Sequence, residues 1–324
     1  MSRIRVDVHV RPEDRDAALR ADVLEGLGAT PKELPPKWFY DDRGSQLFDE
    51  ITRLDEYYPT RTERAILEAD AGAIVAAAGC DTLVELGSGT SDKTRLLLDA
   101  MAQAGSLARF VPFDVSEHTL RDAAAAVAVE YPGVQVHAIA GDFDRHLGEI
   151  PGAGGGRTIA FLGGTIGNFA PAQRKAFFAE VADMLAPGET FLLGTDLVKD
   201  VARLEAAYDD ASGVTAEFNL HVLRVVNREL GADFDLDAFA HVARYDTDAD
   251  WIEMLLEATR PMTVTVPSLG LEVGFATGER MRTEISAKFR RDGLAAELAA
   301  TGLTPAGWWT DPAADFALSL WRRT

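Results

Sequence analysis

Apolar runs alternate with amphipathic stretches from residue 82 to residue 194, a rhythm typical of a parallel β-sheet covered by helices on both faces. The apolar runs predict strands at Thr82–Leu86, Phe110–Phe113, Val134–Ala140, Thr158–Leu162 and Glu189–Gly194. The intervening stretches predict helices at Ser91–Ala104, Ser116–Glu130 and Pro171–Leu185. We therefore expect an α/β fold that binds its ligands at the carboxyl ends of the strands.

The rhythm changes on both sides of this region. Upstream, a polar segment up to about residue 30 contains a predicted helix at Pro12–Leu27, and an aromatic-rich stretch, Lys37–Thr62, leads into a helix at Glu63–Ala78. Downstream, residues 199–230 predict helix, followed by antiparallel strands. These strands are predicted at Ile252–Glu257, Pro261–Val266, Leu271–Phe275 and Arg282–Phe289. A helix at Asp292–Ala300 and a hairpin of Leu303–Thr310 with Phe316–Trp321 return to the earlier pattern, so residues 199–288 form an insertion.

The glycine turn after the first strand predicts a cofactor site. Glycine accepts positive φ and lets a ligand approach the backbone, and a helix N-terminus favours polar ligands. A dinucleotide motif G-x-G-x-x-G would need a glycine where Asp92 stands, and a P-loop fails at the same position, although Lys93 and Thr94 fit it. The segment E-x-G-x-G-T, from Glu85 to Thr90, resembles motif I of S-adenosylmethionine-dependent methyltransferases, whose ligand carries no phosphate. An ordinary strand–turn–helix remains the alternative.

Polar residues follow three further strands in the order that a nucleoside site requires. Asp114 can accept hydrogen bonds from both ribose hydroxyls, and Asp142 can accept one from an adenine amino group with Phe143 beside the ring. Either aspartate alone could be a helix N-cap, but the glycine turn favours the nucleoside interpretation. After the fourth strand, the loop from Gly163 to Asn168 lies where a methyl acceptor binds in such folds. Asn168 suits a carboxylate or amide, unless it only forms a turn.

The composition of the chain argues against several classes of function. The chain has 324 residues and a formal net charge of −20, which argues against a nucleic-acid substrate and favours a small molecule. No apolar run is long enough to span a membrane, and the N-terminal residues lack the apolar region of a secretory signal. The single cysteine, Cys80, fits a reducing cytoplasm, and no zinc-binding spacing occurs, so no metal site is expected. The acidic surface makes a monomer the default expectation.

The most specific segments of the chain are PPKWFYD, EYYPTRTE and TEISAKF, and FLGGTIGN adds to them. On these segments the chain resembles the histidine-specific Nα-methyltransferases of ergothioneine biosynthesis, and the resemblance covers the chain from about residue 20 onward. It departs at Gly164, where the family form has serine. It implies a Rossmann-like class I methyltransferase core at residues 61–198 and 289–324. It also implies a smaller α+β substrate-binding domain at residues 1–60 and 199–288.

Position by position, the resemblance implies roles in two groups. The adenosylmethionine group is Tyr40, Gly87, Lys93, Asp114, Asp142 and Phe143. The substrate group has Asn168 and Tyr208 at the carboxylate, Tyr57, Glu284, Ser286 and Met254 at the imidazole, and Phe48, Gly163 and Thr165 at the amine. Strand alternation places Glu284, Ser286 and Lys288 on one face, which could be solvent or pocket. No residue stands out as the base that deprotonates the amine.

The function that the resemblance implies is transfer of three methyl groups from S-adenosylmethionine to the α-amine of L-histidine, giving hercynine. The nearest alternative is the same fold acting on another amino acid such as tryptophan, against which Glu284 and Met254 argue. An NAD- or ATP-binding module is a second alternative, and Asp92 argues against both nucleotides. A non-enzymatic binding protein has no positive support in the sequence.

Overall fold

The computed structural model describes residues 4–143, 145–152 and 156–324, and these form two compact units. Unit 1 comprises Met1–Arg11, Arg61–Leu197 and Phe289–Thr324, and unit 2 comprises Pro12–Thr60 and Val198–Lys288. The sequence also predicts a glycine-rich loop at residues 152–156, and residues 153–155 of that segment lie outside the described residues. No helix within the described ranges is both long and apolar enough to cross a membrane.

Helices and strands alternate through most of the chain. The helices are α1 Pro12–Gly28, α2 Asp42–Ile51, α3 Pro59–Ala78, α4 Thr94–Gln103, α5 Glu117–Glu130, α6 Pro171–Met184, α7 Val201–Ala206, α8 Val214–Leu230 and α9 Arg291–Ala299. The strands begin with β1 Ile4–Val8, β2 Thr82–Leu86, β3 Arg109–Asp114, β4 Gln135–Ala140, β5 Arg157–Phe161 and β6 Thr190–Asp196. They continue with β7 Phe239–Asp246, β8 Trp251–Ala258, β9 Met262–Val266, β10 Leu271–Phe275, β11 Arg280–Ala287, β12 Leu303–Thr310 and β13 Phe316–Arg323.

Unit 1 is built on one sheet with the strand order β1-β4-β3-β2-β5-β6-β13-β12. The strands from β1 to β6 pair in parallel, and β13 joins β6 antiparallel. Every residue of β2 is buried, as expected for a strand covered on both faces. The order reverses beside β2, between β3 and β5, and this is the switch point at which such sheets bind ligands.

Unit 2 packs helices against two small antiparallel sheets. One sheet has the order β11-β8-β7, and β10 pairs with β9 in the other. Helix α8 packs against α2 and presents an almost continuous apolar face, including Phe218, Val222 and Val226, to the core of this unit. Burial of that face stabilises the helix more than intrinsic helix propensity does, because the helix contains four valines, which are weak helix formers.

The predicted α/β sheet is confirmed, and strands β2, β10 and β12 have the predicted bounds. The terminal hairpin of β12 and β13 is also confirmed as an addition to the parallel sheet. The predicted helix across 199–230 is interrupted between α7 and α8, because Gly213 has a φ of +77°. The Asp210 carboxylate there accepts hydrogen bonds from the first amides of α8.

Placement of the N-terminal residues in the substrate-binding domain is wrong for the residues before Pro12. Strand β1 alternates apolar and charged residues and pairs in parallel with β4, with Ile4 opposite Val136. His137 of β4 also forms a side-chain hydrogen bond of 2.8 Å with Asp7. The segment therefore extends the sheet of unit 1. Helix α2 and strand β7 were not predicted.

Candidate active site

The turn between β2 and α4 contains three residues with a left-handed backbone. Gly87 and Gly89 have φ values of +66° and +48°, and Ser91 has a φ of +55°. The turn delays the helix, which begins at Thr94 and not at the predicted Ser91. A Cβ on Gly87 would lie 3.4 Å from the ring of Phe143, so glycine keeps the turn close to this aromatic side chain.

The acidic and aromatic residues at the ends of β3 and β4 face the same turn. Asp114 accepts a 2.8 Å hydrogen bond from the Gly89 amide, which ties the carboxylate to the glycine turn. Burial raises the pKa of Asp114, although hydrogen bonds from backbone amides oppose the shift. Phe143 stacks on Phe113 with ring centroids 5.6 Å apart, and Asp142 precedes it directly. The structure thus brings four predicted cofactor residues to one edge of the sheet.

Glu85, near the end of β2, received no role of its own from the sequence beyond its place in the E-x-G-x-G-T motif. Its carboxyl is buried and accepts a hydrogen bond from the Thr94 hydroxyl through Oε1, while Oε2 has no hydrogen-bond partner among the described residues. Burial raises the pKa of Glu85 to about 8. A buried, unpartnered carboxyl oxygen under a glycine turn suits a ligand that carries a cationic group, and adenosylmethionine carries both an ammonium and a sulfonium. These residues therefore fit that cofactor.

A buried carboxylate of α3 connects the cofactor turn with the loop after β5. Glu63 is 0% exposed, and both of its oxygens accept the Gly163 amide, at 2.8 and 3.0 Å. The same carboxylate pairs with the ammonium of Lys93, whose side chain is 22% exposed. Lys93 is thus held by the protein, and its predicted contact with the cofactor stays a prediction. Glu63 was not singled out in the sequence, which gave no sign that it is buried.

The loop after β5 turns through two left-handed glycines into a 3₁₀ turn at Thr165–Asn168. Gly163 and Gly164 have φ values of +81° and +70°. Glycine at position 164 therefore relieves a conformation that other residues rarely adopt. Asn168 ends the turn half-buried, and the roles predicted for Gly163, Thr165 and Asn168 stay predictions.

The predicted substrate residues of unit 2 share an aromatic cluster. Phe48 contacts the rings of Tyr40 and Tyr57, with centroids 5.8 and 6.2 Å away. Tyr57 in turn lies 6.2 Å from the ring of Tyr208. Burial of the phenol and the nearby carboxylate of Glu284 raise the pKa of Tyr40, although the residue as a whole is 37% exposed. Tyr40, predicted at the cofactor, thus packs against Phe48, and its contact with the cofactor stays a prediction.

Strand β11 turns its polar face into the protein. Glu284 is 8% exposed and lies opposite Met254 of β8 in the strand register. Burial raises the pKa of Glu284 to about 7, and the positive charge of Lys288 opposes the shift. The alternative that Glu284, Ser286 and Lys288 form a solvated face is wrong, because all three are buried.

Ser286, Tyr208 and Lys288 form a buried hydrogen-bonded trio. The hydroxyls of Ser286 and Tyr208 are 2.7 Å apart. The Lys288 ammonium donates to Ser286 at 2.8 Å and to Tyr208 at 3.0 Å, and it lies 4.6 Å from the centre of the Tyr208 ring. The trio joins a residue predicted at the substrate carboxylate with one predicted at the imidazole. Lys288 received no role from the sequence, although strand alternation had placed it on this face.

A series of buried hydrogen bonds connects Thr283, the residue before Glu284, with the backbone of Tyr208. Thr283 donates to the side-chain oxygen of Asn219 at 2.5 Å, and the Asn219 amide nitrogen lies 2.8 Å from Nδ1 of His241. Nε2 of His241 donates to the backbone carbonyl of Tyr208 at 2.8 Å. Burial lowers the pKa of His241, so the ring is neutral and Nδ1 accepts. No pattern in the sequence predicted this series of hydrogen bonds.

Comparison with known proteins identifies the family. The family model of histidine-specific, SAM-dependent methyltransferases matches residues 19–323. A histidine N-alpha-methyltransferase of Mycolicibacterium smegmatis is 61% identical over 303 residues, covering 94% of both chains. The enzyme of that name from Mycobacterium tuberculosis is 56% identical, covering 98% of this chain and 99% of its own. An ergothioneine biosynthesis protein 1 of Neurospora crassa is 36% identical, covering 62% of this chain and 23% of its own. The chain belongs to the family of SAM-dependent histidine-specific methyltransferases.

Proposed function

We propose that the chain transfers three methyl groups from S-adenosylmethionine to the α-amine of L-histidine, giving hercynine in ergothioneine biosynthesis. The observation that carries the proposal is the buried Glu284 of β11, beside the hydroxyl of Ser286 in a chain of this family. A buried carboxylate is suited to accept the N–H of an imidazole. An apolar substrate side chain would leave that group unpaired, which is how polar sites reject such ligands.

Unit 1 holds the cofactor in this proposal. Asp114 accepts from ribose hydroxyls, Asp142 from the adenine amino group, and Phe143 covers the ring. Glu85 supplies the carboxyl oxygen for a cationic part of the ligand. When bound, adenosylmethionine supplies a methyl group on a sulfonium, which is a good leaving group.

Unit 2 recognises the histidine side chain and carboxylate. Glu284 accepts from one imidazole nitrogen, Tyr57 serves the other, and Met254 lies against the ring. Tyr208 donates to the carboxylate, and the aromatic wall of Phe48 and Tyr40 excludes water near the amine. Holding the reactants in line can lower the barrier by roughly 7–11 kcal/mol, and no covalent intermediate is required.

Free histidine as the acceptor has further support in the charge of the chain. A formal net charge of −20 suits a small zwitterion better than a nucleic acid. We propose in addition that the chain acts in the cytoplasm, because its single cysteine is free and buried and so needs no oxidising compartment. We also propose that it acts as a monomer, because its strongly acidic surface opposes self-association.

Mass spectrometry of the purified protein with adenosylmethionine and each of the twenty amino acids tests the proposal. We expect a product heavier by three methylene units with histidine alone. An Asp114→Asn variant controls for dependence on the cofactor site and should lose most of the product with every acceptor. Methylation of tryptophan or another amino acid, with none of histidine, would overturn the substrate assignment and leave the cofactor assignment intact.

A further inference from the structure

Lys288 is the one charged member of the trio with Ser286 and Tyr208 that unit 2 buries at the end of β11. Its side chain is only 4% exposed, and the two hydroxyl residues are 5% and 7% exposed. A buried ammonium is retained where it is hydrogen-bonded, and this one donates to both hydroxyl oxygens. Lys288 is not among the residues predicted to bind the substrate or the cofactor.

The proton count of the trio restricts what it can offer a substrate. Each hydroxyl has one proton and two lone pairs, and each accepts a hydrogen bond from Lys288. One hydroxyl must donate to the other across their 2.7 Å contact. One hydroxyl proton therefore remains for a group outside the trio. Either Tyr208 or Ser286 donates outward, and they cannot both do so while the three contacts persist.

We infer that Lys288 is a positioning residue that fixes the direction of the Tyr208 and Ser286 hydroxyls for the substrate. This inference rests on the proposed function. When Tyr208 donates to the α-carboxylate, Ser286 must donate to Tyr208, and Ser286 then meets the imidazole as an acceptor only. Lys288 thereby couples recognition of the carboxylate to recognition of the imidazole, and its charge compensates part of the charge of a carboxylate bound at Tyr208.

A double-mutant cycle of Lys288→Met and Tyr208→Phe tests this role. Methionine matches the unbranched shape of lysine without its donors. We expect each single variant to lower kcat/KM for histidine by about tenfold or more, mainly through KM, as for loss of a charge-assisted hydrogen bond. If Lys288 acts through Tyr208, the double variant loses much less than the product of the two single losses, because only the effect of Lys288 on Ser286 remains once Tyr208 lacks its hydroxyl. Losses that multiply would overturn the inference.

Lys199 offers a matched control within the same unit. Its ammonium donates to the Tyr58 hydroxyl at 2.7 Å and lies 4.3 Å from that ring, so it forms the same kind of lysine–tyrosine contact. Lys199→Met should change kcat/KM by less than about threefold. Binding of adenosylhomocysteine to each variant, followed by thermal shift, verifies that unit 1 is intact.

Two further measurements keep the test decisive. If Lys288→Met does not fold, Lys288→Gln keeps N–H donors, and the same cycle applies with a smaller single loss. If the wild-type protein methylates another amino acid and not histidine, the cycle is run with that acceptor, because every amino acid carries the α-carboxylate. The proposed function would then fail while the role of Lys288 is still confirmed or overturned.

Discussion

Replacing Glu284 by glutamine separates the effect of this carboxyl on stability from its effect on the substrate. Glu284 is almost fully buried, and burial raises its pKa from 4.5 to about 7. An acid whose pKa is raised on folding binds its proton more tightly in the folded protein. Its contribution to stability is present below the unfolded pKa and is lost as the pH rises from about 4.5 through about 7.

The size of the effect follows from the shift. A change of about 2.5 units corresponds to about 3 kcal/mol of free energy of unfolding, all of it lost once the pH is well above 7. Glutamine cannot ionise, so Glu284→Gln should stabilise the protein, and more so at alkaline pH. We expect the gain to be about 2–3 kcal/mol larger at about pH 8 than at about pH 5.

Urea unfolding of both proteins at the two pH values measures this difference. Subtracting the wild type removes the other titrating groups, because they are common to both chains. The same variant should bind histidine at least about tenfold more weakly at pH 8, since the amide replaces a carboxylate acceptor. A variant that is more stable but binds histidine less well would show that the charge of Glu284 serves binding at the expense of stability.

The control is Glu253 of the neighbouring strand. It is 9% exposed, but its carboxylate accepts a 2.5 Å hydrogen bond from Arg244. Glu253→Gln removes a paired charge and should not stabilise the protein at either pH. Equal gains for Glu284→Gln at both pH values, or stabilisation by Glu253→Gln, would refute the reasoning.

Three more predictions concern the other buried contacts. Glu63→Gln should lower the free energy of unfolding by about 2 kcal/mol and weaken adenosylhomocysteine binding in calorimetry. As a control, Glu297→Gln removes a more exposed ion pair and should lower the free energy of unfolding by less than about 1 kcal/mol. Asp114→Asn should weaken adenosylhomocysteine by about tenfold or more in the same titration and leave the melting temperature within a few degrees. His241→Phe removes the hydrogen bond that His241 donates to the Tyr208 carbonyl and should raise KM for histidine by about tenfold in a methyl-transfer assay, with the affinity for adenosylhomocysteine unchanged.

The sequence predicted the parallel sheet well because its central strands are buried on both faces. Such strands are continuous apolar runs bounded by polar residues, and β2 has the predicted ends. Strand β1 was missed because it lies at the sheet edge, where half-buried alternating residues in a polar segment give a weak signal. The order of Glu85, Asp114 and Asp142 could be recognised because each residue lies at, or within two residues of, the carboxyl end of its strand.

The interior of unit 2 could be predicted only in part. Alternation along β11 correctly placed Lys288 on the same face as Glu284 and Ser286, but it could not predict whether protein or solvent covers that face. A lysine is usually exposed, and the residues next to Lys288 in the sequence do not indicate that it is buried. The chain from Thr283 to His241 joins residues that lie far apart in sequence, and such contacts leave no periodic trace.

The antiparallel pairing of β13 with β6 bears on how the protein folds during synthesis. The two strands are separated by about 120 residues, which include the whole of the second segment of unit 2. The ribosome therefore delivers that segment before the sheet of unit 1 can acquire β13. Until then β6 exposes an unpaired edge of mostly apolar residues, a surface prone to association with other chains. Early folding of residues 198–288 would shorten the effective loop and limit the time during which the edge is open.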